Sequence, residues 1–300
     1  MSRHQKAYAL LLLTTLLWGG NSIAGKLAVG QILPMLLVFL RWVLAVLILL
    51  PFAGAKLRED WPLAKRHLPL LVALGGCGFA LFNVIFYVAL NYTTAINVSI
   101  EQAGMPILII VANFLFFRVR AGWPQLIGVI LTIAGVALTA SHGSPAQLLR
   151  LDINFGDAIM LGAVVLYSGY SVGLRLKPAL HWQSLILILS LSALVISMPF
   201  AAWEVAMGRA QFPGLAGWAI TLYTALGASV ISQVTYIRGN ELIGANRAGL
   251  FINLVPIFGT LLSILLLGED FHLYHALALA LVFGGIWLAE HGSRRLAAAE

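Results

Sequence analysis

Ten apolar runs, each near the ~20 residues that a helix needs to cross a bilayer, occupy most of this chain and leave little else to fold. Residues 7 to 55 carry only Lys26 and Arg41 as charges, and Gln31 to Pro34 split that stretch in two. Residues 68 to 117 carry only Glu101, and the polar Asn91-Tyr92-Thr93-Thr94 divides them again. Read this way, the spans are 7–28, 34–53, 68–90, 95–117, 122–141, 155–176, 181–203, 213–237, 243–267 and 272–291. A surface facing water cannot be made from 10% charged residues against 61% hydrophobic ones, which excludes a soluble globule, a disordered chain and a nucleic-acid-binding domain. The start, Arg3 and Lys6 before an apolar run, has the look of a signal peptide. Its apolar stretch is too long for one, so it reads as a retained first helix. A single cysteine, Cys77, leaves no internal disulfide and no multi-cysteine metal site.

Basic residues orient the spans. With the N-terminus in the cytoplasm, the inner segments hold Arg3, Lys6, Lys56, Arg58, Lys65, Arg66, Arg118, Arg120, Arg175, Lys177, Arg238, Arg247, Arg294 and Arg295. The outer ends hold Lys26, Arg150 and Arg209, and Arg41 lies within a span. Fourteen against three obeys the positive-inside rule. An odd number of helices would scatter the same charges over both faces, so the tally supports ten and places both termini in the cytoplasm.

The chain also repeats itself about 150 residues on. Trp18-Gly-Gly-Asn-Ser-Ile-Ala-Gly-Lys26 lies over Tyr167-Ser-Gly-Tyr-Ser-Val-Gly-Leu-Arg175, Ala95 over Ala245, Pro106 over Pro256, and Gly135 over Gly285. Five helices per half is an odd number, so the second half enters the membrane from the opposite side. The expected fold is an all-α integral membrane protein of ten transmembrane helices, built as two inverted five-helix repeats at 1–146 and 147–300. Secondary transporters are commonly made this way.

The Trp18-Gly-Gly-Asn-Ser segment, Phe39-Leu-Arg41-Trp in the second span and Leu267-Gly-Glu269 before the last, in this order and spacing, are similar to the EamA-type drug/metabolite transporters. Among these the chain most resembles the bacterial aromatic amino acid and methionine exporters. The resemblance covers nearly the whole sequence and implies a central cavity lined by helices 1, 3, 4, 6, 8 and 9, with helices 5 and 10 at the ends, where such transporters dimerise. Phe117-Arg118-Val119 replaces the Leu-Gly-Glu element in the first half, so that loop is not part of a mechanism common to both halves.

Polar groups within spans belong on inward faces, away from lipid. Asn83, Tyr87 and Asn91 recur every fourth residue in the third span, and Asn97 and Glu101 do so in the fourth. Gln233, Tyr236 and Asn240 stripe the eighth span, with Asn246 and Asn253 on the ninth; Trp18 and Asn21 answer Tyr167, Tyr170 and Ser171. The expected substrate-binding set is Trp18, Asn21, Asn83, Tyr87, Asn97, Glu101, Tyr167, Tyr170, Gln233, Tyr236 and Asn253. Each amide has an alternative role as interhelical glue. Arg41 reads first as a structural charge bonded to carbonyls or to Glu101, and second as a substrate contact. Glu101 can hold a proton, a substrate amino group or Arg41. Pro106 and Pro256, inside helices 4 and 9, are expected to kink them as hinges.

Enzyme motifs are absent: the sequence has no Walker loop, zinc spacing or serine elbow. His272 and His275 beside Glu269 and Asp270 are expected to face water rather than a metal. The resulting expectation is a gradient-driven exporter of small amphipathic metabolites, neutral and aromatic amino acids foremost, in the inner (cytoplasmic) membrane. It needs no cofactor, metal or nucleic acid, and its partners are the substrate and the bilayer, as monomer or homodimer. Alternatives are a multidrug effluxer, a nucleotide-sugar carrier, a membrane scaffold and, from another class, an intramembrane lipid-modifying enzyme.

Overall fold

The computed structural model describes residues 3–118, 123–144, 154–208, 212–243 and 251–297, and among these every regular element is helical. In chain order the α-helices are α1 (Arg3–Ala28), α2 (Pro34–Ala64), α3 (Leu68–Gly75), α4 (Phe82–Ala89), α5 (Ala95–Gln102), α6 (Met105–Phe117) and α7 (Trp123–Ala140). There follow α8 (Phe155–Gly173), α9 (Trp182–Ala206), α10 (Leu215–Leu222), α11 (Ser232–Ile243), α12 (Val255–Leu262) and α13 (Leu273–Ala297). Asn246 and the junction between the two expected repeats lie outside the described residues.

Among the described residues, six helical stretches are long and apolar enough to cross a membrane, and three shorter apolar helices accompany them. One of the six, Pro34–Ala89, is 56 residues long, which at ~1.5 Å per residue is far more than a bilayer's thickness. It doubles back. The Trp42 ring stacks on Phe79 at 5.0 Å, a contact no straight helix could make between residues so far apart. The reversal falls at a short 3-10 turn, Lys65–His67, followed by Pro69 in the first turn of α3, where its missing N–H costs nothing. Helix α2 runs on to Ala64, beyond the expected end of its span at 53. Hydropathy marks where the membrane stops, whereas the helix itself continues through Lys56, whose ammonium meets Glu59 at 2.7 Å.

α1 lies against α11 and α12, and α8 lies correspondingly against α4, α5 and α6. α2 pairs with α9, and α7 with α13. Helices meet closely where glycine removes the side chain: a Cβ on Gly19 would sit 2.8 Å from the backbone nitrogen of Gly259. Large apolar side chains such as Leu47, Ile130, Val195 and Leu265 point outward, the distribution expected of a protein bathed in lipid.

Two departures from regular helix bear on the site. Pro106 and Pro256, expected to kink helices 4 and 9, each stand in the first turn of a segment, α6 or α12, after a two-residue turn at Ala103–Gly104 or Asn253–Leu254. A proline has no N–H to give and its ring crowds the carbonyl four residues back, so the regular helical hydrogen bonding is interrupted there. In addition, the run between α3 and α4 (Gly76–Leu81) and that between α10 and α11 (Tyr223–Ile231) are π-helical, a widening that is frequent at functional sites.

Candidate functional site around Arg41

Arg41 is 5% exposed at the middle of the bundle. Its Nε donates to Ser229 Oγ at 2.6 Å, and its Nη1 donates to Asn83 Oδ1 at 2.7 Å and Tyr87 Oη at 2.6 Å. Asn21 Oδ1 lies 3.4 Å from Nη1 and also accepts from the Tyr87 hydroxyl at 2.8 Å. Four elements thus converge on one guanidinium: α1, α2, α4 and the π segment before α11. Further bonds fix the acceptors in turn, since Asn83 Nδ2 donates to the Phe79 carbonyl at 2.6 Å and Ser229 Oγ to the Thr224 carbonyl at 2.9 Å. Both carbonyls belong to π segments, whose irregular backbone leaves acceptors for side chains.

Every one of these acceptors is neutral. Among the described residues no carboxylate forms an ion pair with Arg41, and Glu101 in particular is not its partner. An Arg at this depth costs about 2.5–3.5 kcal/mol on insertion scales; hydrogen bonds to neutral groups offset part of that and leave the charge uncompensated. Among the described residues no acceptor meets Nη2 either. Aromatic side chains wall the site. The Arg41 guanidinium lies 5.2 Å from the Trp42 ring and 5.9 Å from that of Tyr87. Phe79 continues to Tyr170 at 5.8 Å, and Tyr170 to Tyr167 at 5.3 Å. The Trp42 Nε1–H is buried with no partner among the described residues.

The residues singled out by sequence fall into three groups. Asn21, Asn83 and Tyr87 meet at Arg41, with Tyr167 and Tyr170 joined to them through Phe79 and Phe82. Trp18 pairs with Tyr236 at 5.5 Å on the α1–α11 contact, where Gln233 is half-buried; Asn253 is half-buried in the turn before α12. Asn97 and Glu101 are elsewhere. Asn97 is fully buried, and its Nδ2 lies 3.4 Å from both oxygens of Asp157, while its Oδ1 faces His275 Nε2 at 3.2 Å. This second polar cluster lies among α5, α8 and α13.

That cluster corrects the reading of the last loop. His275 is 2% exposed, not water-facing, and its Nδ1 accepts the His272 backbone N–H at 3.1 Å. Glu269 reaches the start of α5, accepting from the N–H groups of Ala95 at 2.8 Å and Ile96 at 3.0 Å, an acid placed where a helix N-terminus favours one. No group of three or more His, Cys, Asp or Glu able to hold a metal occurs among the described residues. Sequence reasoning missed Trp42, Ser229, Asp157 and His275. Trp42 stood in the quoted motif beside Arg41, and Asp157 was an acid just inside a span; nothing pointed to Ser229.

Comparison with known proteins adds family and fold. The EamA-like transporter family matches residues 5–141 and again residues 154–290. The chain is 26% identical over 289 residues to a Bacillus subtilis (strain 168) protein named uncharacterized transporter YetK, covering 96% of this chain and 88% of that one. It is 25% identical over 309 residues to the Salmonella typhimurium uncharacterized inner membrane transporter YicL, across 100% of both. A solved crystal structure superposes with a TM-score of 0.65 at 19% identity, covering 98% of this chain and 99% of that one, a likeness of fold. Carried by the double match and by helices built to lie in lipid, the conclusion is that this chain is a multi-pass membrane protein and belongs to the EamA-like transporter family.

Proposed function

We propose that the protein is a secondary transporter exporting small amphipathic metabolites, neutral and aromatic amino acids first, by alternating access across the inner membrane. The observation that carries this reading is the buried Arg41 guanidinium, ringed by neutral acceptors and aromatic rings with Nη2 unspent. A carboxylate supplies the missing negative charge and can engage a guanidinium through two bonds. Trp42, Phe79, Tyr87 and Tyr170 offer faces to an apolar or aromatic side chain. One fixed cation suits a zwitterion; a nucleotide sugar brings phosphates that call for several, and a cationic drug is repelled.

Two inverted five-helix halves provide the frame of this reading. It is supported by the successive family matches and by the corresponding packing of α1 on α11 and α12 and of α8 on α4, α5 and α6. It is also supported by the paired breaks before Pro106 and Pro256. In such an arrangement the breaks are natural hinges, and ten crossings return the C-terminus to the cytoplasmic side.

Reconstituted into vesicles without ATP, the protein is expected to pass radiolabelled tryptophan and phenylalanine. Unlabelled tryptophan should compete, and tryptophan amide, which lacks the carboxylate, should not. Flux of a cationic drug with none for any amino acid would overturn the substrate assignment.

A further inference from the structure

Glu101 has no solvent exposure, and neither Oε1 nor Oε2 has a hydrogen-bond partner among the described residues. It sits in the last turn of α5, two residues before the turn at Ala103–Gly104, at a helix end that offers nothing to an anion. Among the described residues, the charged groups on the surrounding elements are committed elsewhere or of the wrong sign. On α8, Asp157 is the charged neighbour whose field reaches Glu101. On and before α13, His275 faces Asn97, and Glu269 holds the α5 backbone. From α1, Lys26 donates to the carbonyls of Leu90 at 3.0 Å and Thr93 at 2.6 Å. A bare carboxylate in such a place is costly, and a neutral carboxylic acid avoids most of that cost. The side chain is therefore a holder for a proton.

A ladder of polar groups leads to it from one end of the bundle. At the C-terminal end of α7, His142 is held at φ 49° by a tight turn in which its N–H donates to the Thr139 carbonyl and that of Gly143 to the Leu138 carbonyl. Its side chain is 39% exposed, and its Nε2 is 3.2 Å from Asp157 Oδ2. Asp157, fully buried, accepts from Thr93 Oγ1 and Asn97 Nδ2. Asn97 and Glu101 are one helical turn apart on the same face of α5.

We infer that Glu101 is a proton-binding site of this protein, loaded from the His142 end of the bundle through Asp157. The step conserves charge and atoms: a proton from water is taken up at the His142 imidazole and passes to the Asp157 carboxylate. It then passes to Glu101, converting a carboxylate and a proton into a carboxylic acid. Asn97 and Thr93 orient Asp157 and neither gain nor lose a proton over the cycle. Because Glu101 lies in the last turn of α5, loading and unloading act beside the interruption of the helix, which ties proton occupancy to its rearrangement if the transport reading holds.

The test uses the purified full chain in lipid nanodiscs, with no substrate added, and records infrared spectra as pH is changed and as H2O is replaced by D2O. The wild type is expected to show the C=O band of a protonated carboxyl group. Glu101→Gln should remove that band and Glu204→Gln should leave it. Should Glu101→Gln fail to fold, Glu101→Asp serves, since it is expected to move the band rather than abolish it. His142→Ala and Asp157→Asn should each slow the isotope shift of the Glu101 band without removing it. An identical set of bands in wild type and both Glu101 variants overturns the site, and unchanged exchange in both ladder variants overturns the route. The measurement needs no transported compound, so failure of the amino acid flux assay is distinguishable from failure of this inference.

Discussion

Arg41→Ala is expected to abolish flux while leaving the protein folded. Two opposing quantities decide this. Each buried acceptor that loses its donor costs about 1–3 kcal/mol, and Asn83, Tyr87 and Ser229 all lose a bond to the guanidinium. Removing a charge from mid-membrane depth returns about 2.5–3.5 kcal/mol, and Tyr87 keeps its bond to Asn21. The net effect on thermal unfolding is therefore modest. Transport has no such compensation, because truncating one side of a buried charged contact costs about 2–5 kcal/mol. That corresponds to a fall of roughly 30-fold to several thousand-fold in apparent affinity for tryptophan. Arg41→Lys keeps the charge and loses the planar fork, so it should fall between. A brace with no substrate role predicts the reverse: a large drop in unfolding temperature, with the affinity of whatever protein survives unchanged.

Gly135→Leu should produce a large loss of stability at the α7–α13 contact. A Cβ at Gly135 would lie 2.7 Å from the Ala278 carbonyl oxygen and 2.9 Å from Val282 Cγ2. The reciprocal crossing is tighter still, with a Cβ at Gly285 2.5 Å from the Gly128 carbonyl oxygen. A backbone oxygen cannot rotate aside as a side chain can, and overpacking costs about 1–3 kcal/mol or more. Thermal unfolding in detergent should show the midpoint falling by several degrees, or no folded protein recovered. Gly284→Leu is the control: open space surrounds that position, and its midpoint should match the wild type.

Much of this architecture was legible because lipid imposes simple rules. Apolar runs marked helices, and the four-residue recurrence of Asn83 and Tyr87 placed them on one face, where the structure joins them to Arg41. The same rule failed for Asn97 and Glu101. Residues 95 to 101 are buried on every side, so a polar stripe names a face without naming the neighbour, and here the neighbours are Asp157 and His275. The histidines of the last loop looked water-facing from their place at a span end. Only the fold reveals that the loop turns His275 down onto Asn97 while Glu269 grips the start of α5. Ser229 was beyond reach for another reason: its role depends on a π-helical register, which hydropathy does not encode.

The central claim is that two antiparallel five-helix halves enclose the Arg41 site, and the sidedness of the chain ends tests it most directly. In a Cys77→Ser background, a single cysteine placed at His4 and, separately, one placed at Ala298 are to be labelled with a membrane-impermeant maleimide in intact and in opened cells. Both are predicted to react only once the cells are opened, because ten crossings bring both ends to the cytoplasmic face. Labelling of one end, but not the other, in intact cells contradicts the inverted arrangement and the carrier built on it.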